Sequence, residues 1–309
     1  SIFIFSFSST NIHIETKNKS THISRYSKVL PTIKVKNVYK IVFKYFFKYS
    51  LNKGEYLKQL LDPVLEENGG VSNFMCISLS LASLMNRDRT ICYNSPNIQG
   101  FDNLPLKAIL ENLWGLPVIM ERDVNTSLLY DLWKNHMGQE GIVIGVYIGT
   151  GLGNAMSIDG KVYKGYTGSS CELGHIPVDG LEKMCGCGKK GCIELRACGK
   201  VLAEIAREHY KCQVSDIFVK YGDQPDVLDV VRMCALATAT EVTILDPVCV
   251  VLGGGVTQMP GFPMEYFIRN VKENLRTPEP RASLRIVPAS PDAEAGVIGA
   301  ALNAYTALQ

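Results

Sequence analysis

The sequence holds no apolar run of the roughly 18 residues that a membrane-crossing helix needs. It shows no basic start, apolar centre and small-residue cleavage site of a secretory leader either. Both absences point to a soluble protein. Charge of either sign is nearly absent in balance: 32 Lys and Arg against 30 Asp and Glu leave +2, which argues against a polyanionic partner such as nucleic acid. Glycine is missing from the first 53 residues, so no glycine turn can form before Gly54. A disulfide framework is missing too. Cys76, Cys92, Cys171, Cys198, Cys212, Cys234 and Cys249 are scattered, several in apolar runs where thiols act as small hydrophobes, which suits a reducing cytoplasm.

The remaining cysteines are ordered. His175, Cys185, Cys187 and Cys192 form the pattern H-x9-C-x-C-x4-C. A C-x-C pair makes a strained disulfide, whereas three thiolates and one imidazole satisfy tetrahedral Zn²⁺ completely and leave no open position. The spacing therefore predicts a structural zinc loop over 175–192. Gly186, Gly188 and Gly191 would permit its reversals, and Glu172 and Glu194 flank it.

At 309 residues and 46% hydrophobic composition the chain is long enough for two domains with cores. Residues 1–58 carry eleven Lys or Arg against Glu15 and Glu55, leaving 21 basic and 28 acidic residues for the rest. In 38–49 the lysines fall every fourth residue between apolar ones, so this basic stretch reads as an amphipathic helix. A hairpin is expected over residues 2–14, then strands at 76–81 and 116–120 and a helix at 105–113. A second half repeats the plan, with a buried strand at 141–148, a turn at 149–153, and a hairpin around Asp159-Gly160. Helices at 199–210 and 225–245, a strand at 248–252 and a helix at 295–308 follow. Two α/β domains are expected, 1–120 and 121–294, with the helix of 295–309 returning to the first.

Two glycine turns follow strands, Gly149-Thr150-Gly151-Leu152-Gly153 and Gly253-Gly254-Gly255. Each is either a plain turn or a loop that lets backbone amides approach phosphate. The second is no Walker A motif, since no Lys-Ser/Thr follows, and no G-x-G-x-x-G opening a helix. Asp123 comes directly after a strand, where it can act as a general base or as a helix N-cap, and Asn125 can cap likewise.

Taken together, YIGTGLGNA (147–155), ELGHIP (172–177), CGCGKKGCIE (185–194) and DPVCVVLGGGV (246–256) resemble the ROK family of sugar kinases and sugar-responsive repressors over roughly 92–309. The resemblance implies a two-domain, actin-like and ribonuclease-H-like α/β ATPase fold with an interdomain cleft and a structural zinc loop. It also implies ATP- and Mg²⁺-dependent phosphorylation of a hexose at its 6-hydroxyl, usually by a homodimer. By position, Asp123 would be the catalytic base, and Asn97, Asn125, Glu172, His175 and Glu194 would bind sugar. Thr10, Asn11, Gly149, Thr150, Gly151, Gly153, Gly253, Gly254 and Gly255 would hold nucleotide. Arg122-Asp123-Val124-Asn125, with Ser95-Pro96-Asn97 and Gly-His-Ile-Pro, is more similar to the D-allose kinase branch than to glucokinase, whose sugar differs by a single epimeric hydroxyl. An N-acetylmannosamine kinase is a further alternative.

The first segment departs from the family's Asp-x-Gly-Gly-Thr-Asn, offering Ser6-Phe7-Ser8-Ser9-Thr10-Asn11 instead. The acid that would help organise Mg²⁺ is a serine, and both phosphate-cradling glycines have side chains. Such a segment suits a sugar-binding protein without kinase activity, and its Ile, Phe, Lys, Ser, Asn and Tyr bias is that of an AT-rich gene read out of frame. The family's repressors carry an N-terminal winged helix, for which Thr10-Asn11 at the first kinase strand leaves no room.

Overall fold

The structure, a computed structural model, describes residues 2–7, 22–25, 38–42, 58, 61–63, 65–67, 69–95, 100–292 and 294–309. The chain divides into two units: Ser1–Tyr130 with Lys164–Ser170 and Asp292–Gln309, and Asp131–Tyr163 with Cys171–Pro291. The division falls after Tyr130 instead of after residue 120, and the first unit also takes back the short segment 164–170.

In the first unit β1 (Ile2–Phe7), β2 (His22–Arg25), β3 (Val38–Val42), β4 (Cys76–Leu81) and, after a small ribbon of β5 (Leu84–Met85) and β6 (Cys92–Asn94), β7 (Val118–Arg122) build a sheet of order β2-β3-β1-β4-β7. β4 is parallel to both neighbours and buried on both faces, as central parallel strands are. Its Ile77, Leu79 and Leu81 enter one core. Its intervening serines are satisfied individually: Ser78 Oγ donates to Ala300 O at 2.8 Å, and Ser80 Oγ shares a 2.8 Å hydrogen bond with Thr126 Oγ1. Thr126 lies in the helix that follows β7, and Ala300 in the last helix of the chain. α1 (Leu106–Trp114) ends at the left-handed Gly115, and α2 (Asp123–Lys134) follows β7 without a break.

Two expectations fail here. Among the described residues both neighbours of β1, β3 and β4, run parallel to it instead of forming a hairpin with it, while 8–14 lie outside the described residues. The amphipathic helix is also absent from 38–42, which form β3, while 43–49 lie outside the described residues. A lysine every fourth residue is an even spacing and fits the two-residue period of a strand as well as a helical turn, and Val38-Tyr39-Lys40-Ile41-Val42 has the β-branched and aromatic bias of strands.

The second unit also has a five-stranded sheet, with its second and third strands exchanged relative to the first: β8 (Ile142–Ile148), β9 (Leu152–Ile158), β10 (Lys161–Val162), β11 (Cys249–Gly253) and β12 (Ile286–Pro288) assemble as β10-β9-β8-β11-β12. β8, β9 and β10 form an antiparallel meander, turning at Asp159 and Gly160, both at positive φ. β11 and β12 are parallel to β8. The helices are α3 (Gly199–Glu208), α4 (Ile217–Tyr221), α5 (Pro225–Leu245) and α6 (Met264–Glu273). Pro225 opens α5 in the first turn, where its missing N–H costs nothing, and left-handed Asp246 ends it. Helix α7 (Ala295–Ala307) belongs to the first unit, lying against β4 and β7.

Candidate functional site

The ligand atoms of His175, Cys185, Cys187 and Cys192 all lie within 4.8 Å of one another. His175 Nδ1 is 3.7 Å from Cys185 Sγ, and Cys187 Sγ is 3.5 Å from Cys192 Sγ. Sulfurs about 2.3 Å from a tetrahedral ion stand about 3.8 Å apart, so the spacing and the donor set both fit a thiophilic tetrahedral cation. Gly188 and Gly191 take positive φ as the reversals require, whereas Gly186 does not. The imidazole has two roles: with Nδ1 toward the thiols, its Nε2 lies 3.6 Å from Glu172 Oε2.

Beyond the last ligand, Glu194 Oε2 accepts the Leu152 N–H at 3.0 Å. The same carboxylate fills the space where a side chain on Gly151 would go. Metal loop and glycine turn are thus joined by one side chain. That turn leaves the carboxyl end of β8, and Gly253-Gly254-Gly255 leaves the carboxyl end of the adjacent parallel β11, the edge at which open α/β sheets bind ligands. Gly254, at φ 95°, packs on the backbone of Ile148, and Val256 N–H donates to Ile148 O at 2.9 Å. The turn is less open than its glycines suggest. Gly149 N–H is spent on Gly151 O, Gly149 O accepts from Gly199 N–H, and Gly153 is a ladder residue of β9 opposite Tyr147.

In the first unit Asp123 opens α2 as its first helical residue. Its Oδ1 accepts the Val124 N–H at 2.9 Å. Burial pushes its carboxyl above the usual carboxylate range, with the Arg122 charge and backbone N–H groups opposing. Neighbouring Glu121, at the end of β7, is wholly buried and collects four partners: Arg89 Nε at 2.9 Å, Lys164 Nζ at 3.1 Å, Arg122 N–H at 3.0 Å and Asn125 Nδ2 at 2.8 Å. Burial alone would raise this carboxyl, but Arg89, Lys164 and the hydrogen bonds outweigh it and hold it below the usual range. With its amide N–H₂ given to Glu121, Asn125 keeps a buried Oδ1 that has no partner among the described residues. Arg122 donates from Nη1 to Ser170 O at 2.6 Å, and Arg89 from Nη1 to Gly168 O at 2.9 Å, so both arginines hold the segment Lys164–Ser170.

The structure therefore groups Glu172, His175, Glu194 and the two glycine turns in one unit, and Asp123 with Asn125 in the other. Thr10, Asn11 and Asn97 lie outside the described residues. Sequence reading missed Glu121, Arg89 and Lys164, which are far apart in the chain. It missed Asn154 and Glu241 as well; the one signal for Glu241 was a lone acid inside the apolar stretch of 233–245.

Residues 53–306 match the ROK family. A glucokinase of Thermotoga maritima is 26% identical over 227 residues, 67% of this chain and 71% of the relative. An N-acetyl-D-glucosamine kinase of Vibrio cholerae is 34% identical over 184 residues, 54% of this chain and 61% of the relative. The crystal structure of a ROK hexokinase from Thermus thermophilus superposes with a TM-score of 0.70 at 28% identity, covering 87% of this chain and 91% of that one. The fold is the α/β actin-like ATPase fold of those kinases, and with the family match running through residues 53–306 the chain belongs to the ROK family.

Proposed function

We propose that the protein is an ATP-dependent hexose kinase that phosphorylates the 6-hydroxyl of its sugar. The observation that carries this reading is Asp123, an acid at the junction of a parallel strand and a helix, with its carboxyl raised by burial above the usual carboxylate range. Asp123 takes the proton of the 6-hydroxyl as that oxygen attacks the γ-phosphorus of ATP. The bond from phosphorus to the β–γ bridging oxygen breaks and ADP leaves. Asn125 accepts a sugar hydroxyl on Oδ1, while Glu172, His175 and Glu194 receive further hydroxyls. Gly149, Thr150, Gly151 and Gly253–Gly255 approach the phosphates, and Mg²⁺ enters with ATP. The Cys₃His cluster holds Zn²⁺, whose contribution is structural because its four ligands leave no open position. The relatives that act on glucose and N-acetyl-D-glucosamine support the reaction class.

For the sugar we propose D-allose, on Arg122-Asp123-Val124-Asn125 and Gly174-His175-Ile176-Pro177. A homodimer in the cytoplasm completes the reading. Ser6, Ser8 and Ser9 favour a second one, a sugar-binding protein without phosphoryl transfer. An ADP-release assay on mass-verified protein with allose, glucose, mannose, N-acetylmannosamine and N-acetylglucosamine separates them. Fastest turnover of allose is the expected result. Preference for another sugar replaces the substrate, and thermal protection by sugar without ADP release selects the second reading.

A further inference from the structure

Helix α5 buries an almost wholly apolar face, interrupted by one acid. Glu241 is 8% exposed, its Oε1 accepts from Asn154 Nδ2 at 2.6 Å, and its Oε2 is buried with no partner among the described residues. Asn154, in β9 and 2% exposed, uses its other end, since Oδ1 accepts the Leu173 N–H at 2.9 Å. Leu173 is the first residue of the 3-10 turn Leu173–His175, and Glu172 immediately precedes it. A donor at the start of a helical turn has no partner within that turn and needs one from outside.

The acid is expensive where it stands. A carboxylate that is nine-tenths buried and has no cation costs several kcal/mol, and an apolar side chain of similar volume would avoid that cost. Burial pushes the carboxyl up to about 7, opposed only by the Asn154 hydrogen bond. What Glu241 supplies is an acceptor. An amide can present either its oxygen or its nitrogen to a neighbour, and an acceptor opposite Nδ2 leaves Oδ1 facing the Leu173 N–H. With an apolar residue at 241, Nδ2 would be orphaned and both amide orientations would become accessible.

We infer that Glu241 is a positioning residue which, through Asn154, holds the backbone of the Leu173–His175 turn and so the side chains of Glu172 and His175. The effect on sugar rests on the kinase reading above, but the relay itself does not. Amide hydrogen exchange of peptides covering 171–176, measured on the full chain, reads it directly. In Glu241→Leu the protection of the Leu173 amide falls at least ~10-fold, and Glu241→Gln, which keeps a carbonyl acceptor, restores it. In the sugar assay Glu241→Leu raises the sugar KM by ~10-fold or more, with kcat within a few-fold, as loss of an outer support does. Unchanged protection in a folded Glu241→Leu protein overturns the inference whatever the kinetics. Lost protection in a protein that neither binds nor phosphorylates sugar supports the relay and removes the kinase reading. Asn154→Ala serves as a second variant, losing the same protection; adding Glu241→Leu to it must change that amide no further, and additive losses overturn the relay.

Discussion

His175 Nε2 lies 3.6 Å from Glu172 Oε2 while the Nδ1 of the same ring faces Cys185 Sγ at 3.7 Å. One imidazole thus joins the thiol cluster to a carboxylate that the kinase reading places on the sugar. A ligating histidine whose second nitrogen meets a carboxylate has its tautomer and ring plane set by both neighbours. On the kinase reading, metal binding and sugar binding would be coupled through that single ring.

Removing the metal tests that coupling. The native protein should hold about one zinc per chain by elemental analysis, and Cys187→Ser or chelation should lower the melting temperature, since metal binding energy is folding energy. Glu172→Gln should leave the zinc content near one and weaken sugar binding by ~10–100-fold in calorimetry. Equal sugar affinity with and without metal would show that the ring does not transmit.

Asp123→Asn should reduce kcat by ~10²–10⁴ while sugar binding persists, because a general base acts in the transition state. The base must be ionised to work, and its carboxyl is raised. Wild-type kcat should therefore decline with falling pH from a point above the ordinary carboxylate range. Full activity of Asp123→Asn would remove Asp123 from the mechanism.

Glu121 compensates the buried guanidinium of Arg89 and also orients Asn125. Glu121→Ala should cost ~3–5 kcal/mol in urea unfolding, the usual consequence of leaving one member of a buried pair alone. Arg89→Met with Glu121→Leu should cost less than either single change, since both charges are then gone; a simply additive double mutant would argue against the pair.

Stability should also carry the signature of Glu241. Its carboxyl is raised from 4.5 to about 7, so the folded state holds a proton that the unfolded state releases. This contribution is complete below 4.5 and is lost as pH rises through about 7, on the order of 3 kcal/mol at roughly 1.4 kcal/mol per pH unit. Denaturant unfolding between pH 5 and 8 should show the decline in wild type and a flatter profile in Glu241→Gln. Parallel profiles would show that Glu241 is ionised throughout.

Much of the fold was legible along the chain. Strand 76–81, the hairpin at Asp159-Gly160, and helix 225–245 with Pro225 at its start are contiguous patterns, and the structure has them at those places. The strand β3 was read as a helix because Lys40 and Lys44 satisfy either period, and only pairing with β1 and β2 selects one. α6 was missed, lying between β11 and β12 where no strand pattern as clear as that of 249–253 framed it.

The His175, Cys185, Cys187 and Cys192 set was determined by the sequence alone, since ligands within one short loop carry their geometry in their spacing. So were the glycine turns and the acid that follows strand β7. Tertiary structure decided the rest: Glu121 meets Arg89 across 32 positions, and Asn154 meets Glu241 across 87. Residues that distant share no period and no spacing, and what joins them is the burial of separate elements in one core, where each polar group must find its partner or lose the stabilisation that water gave it.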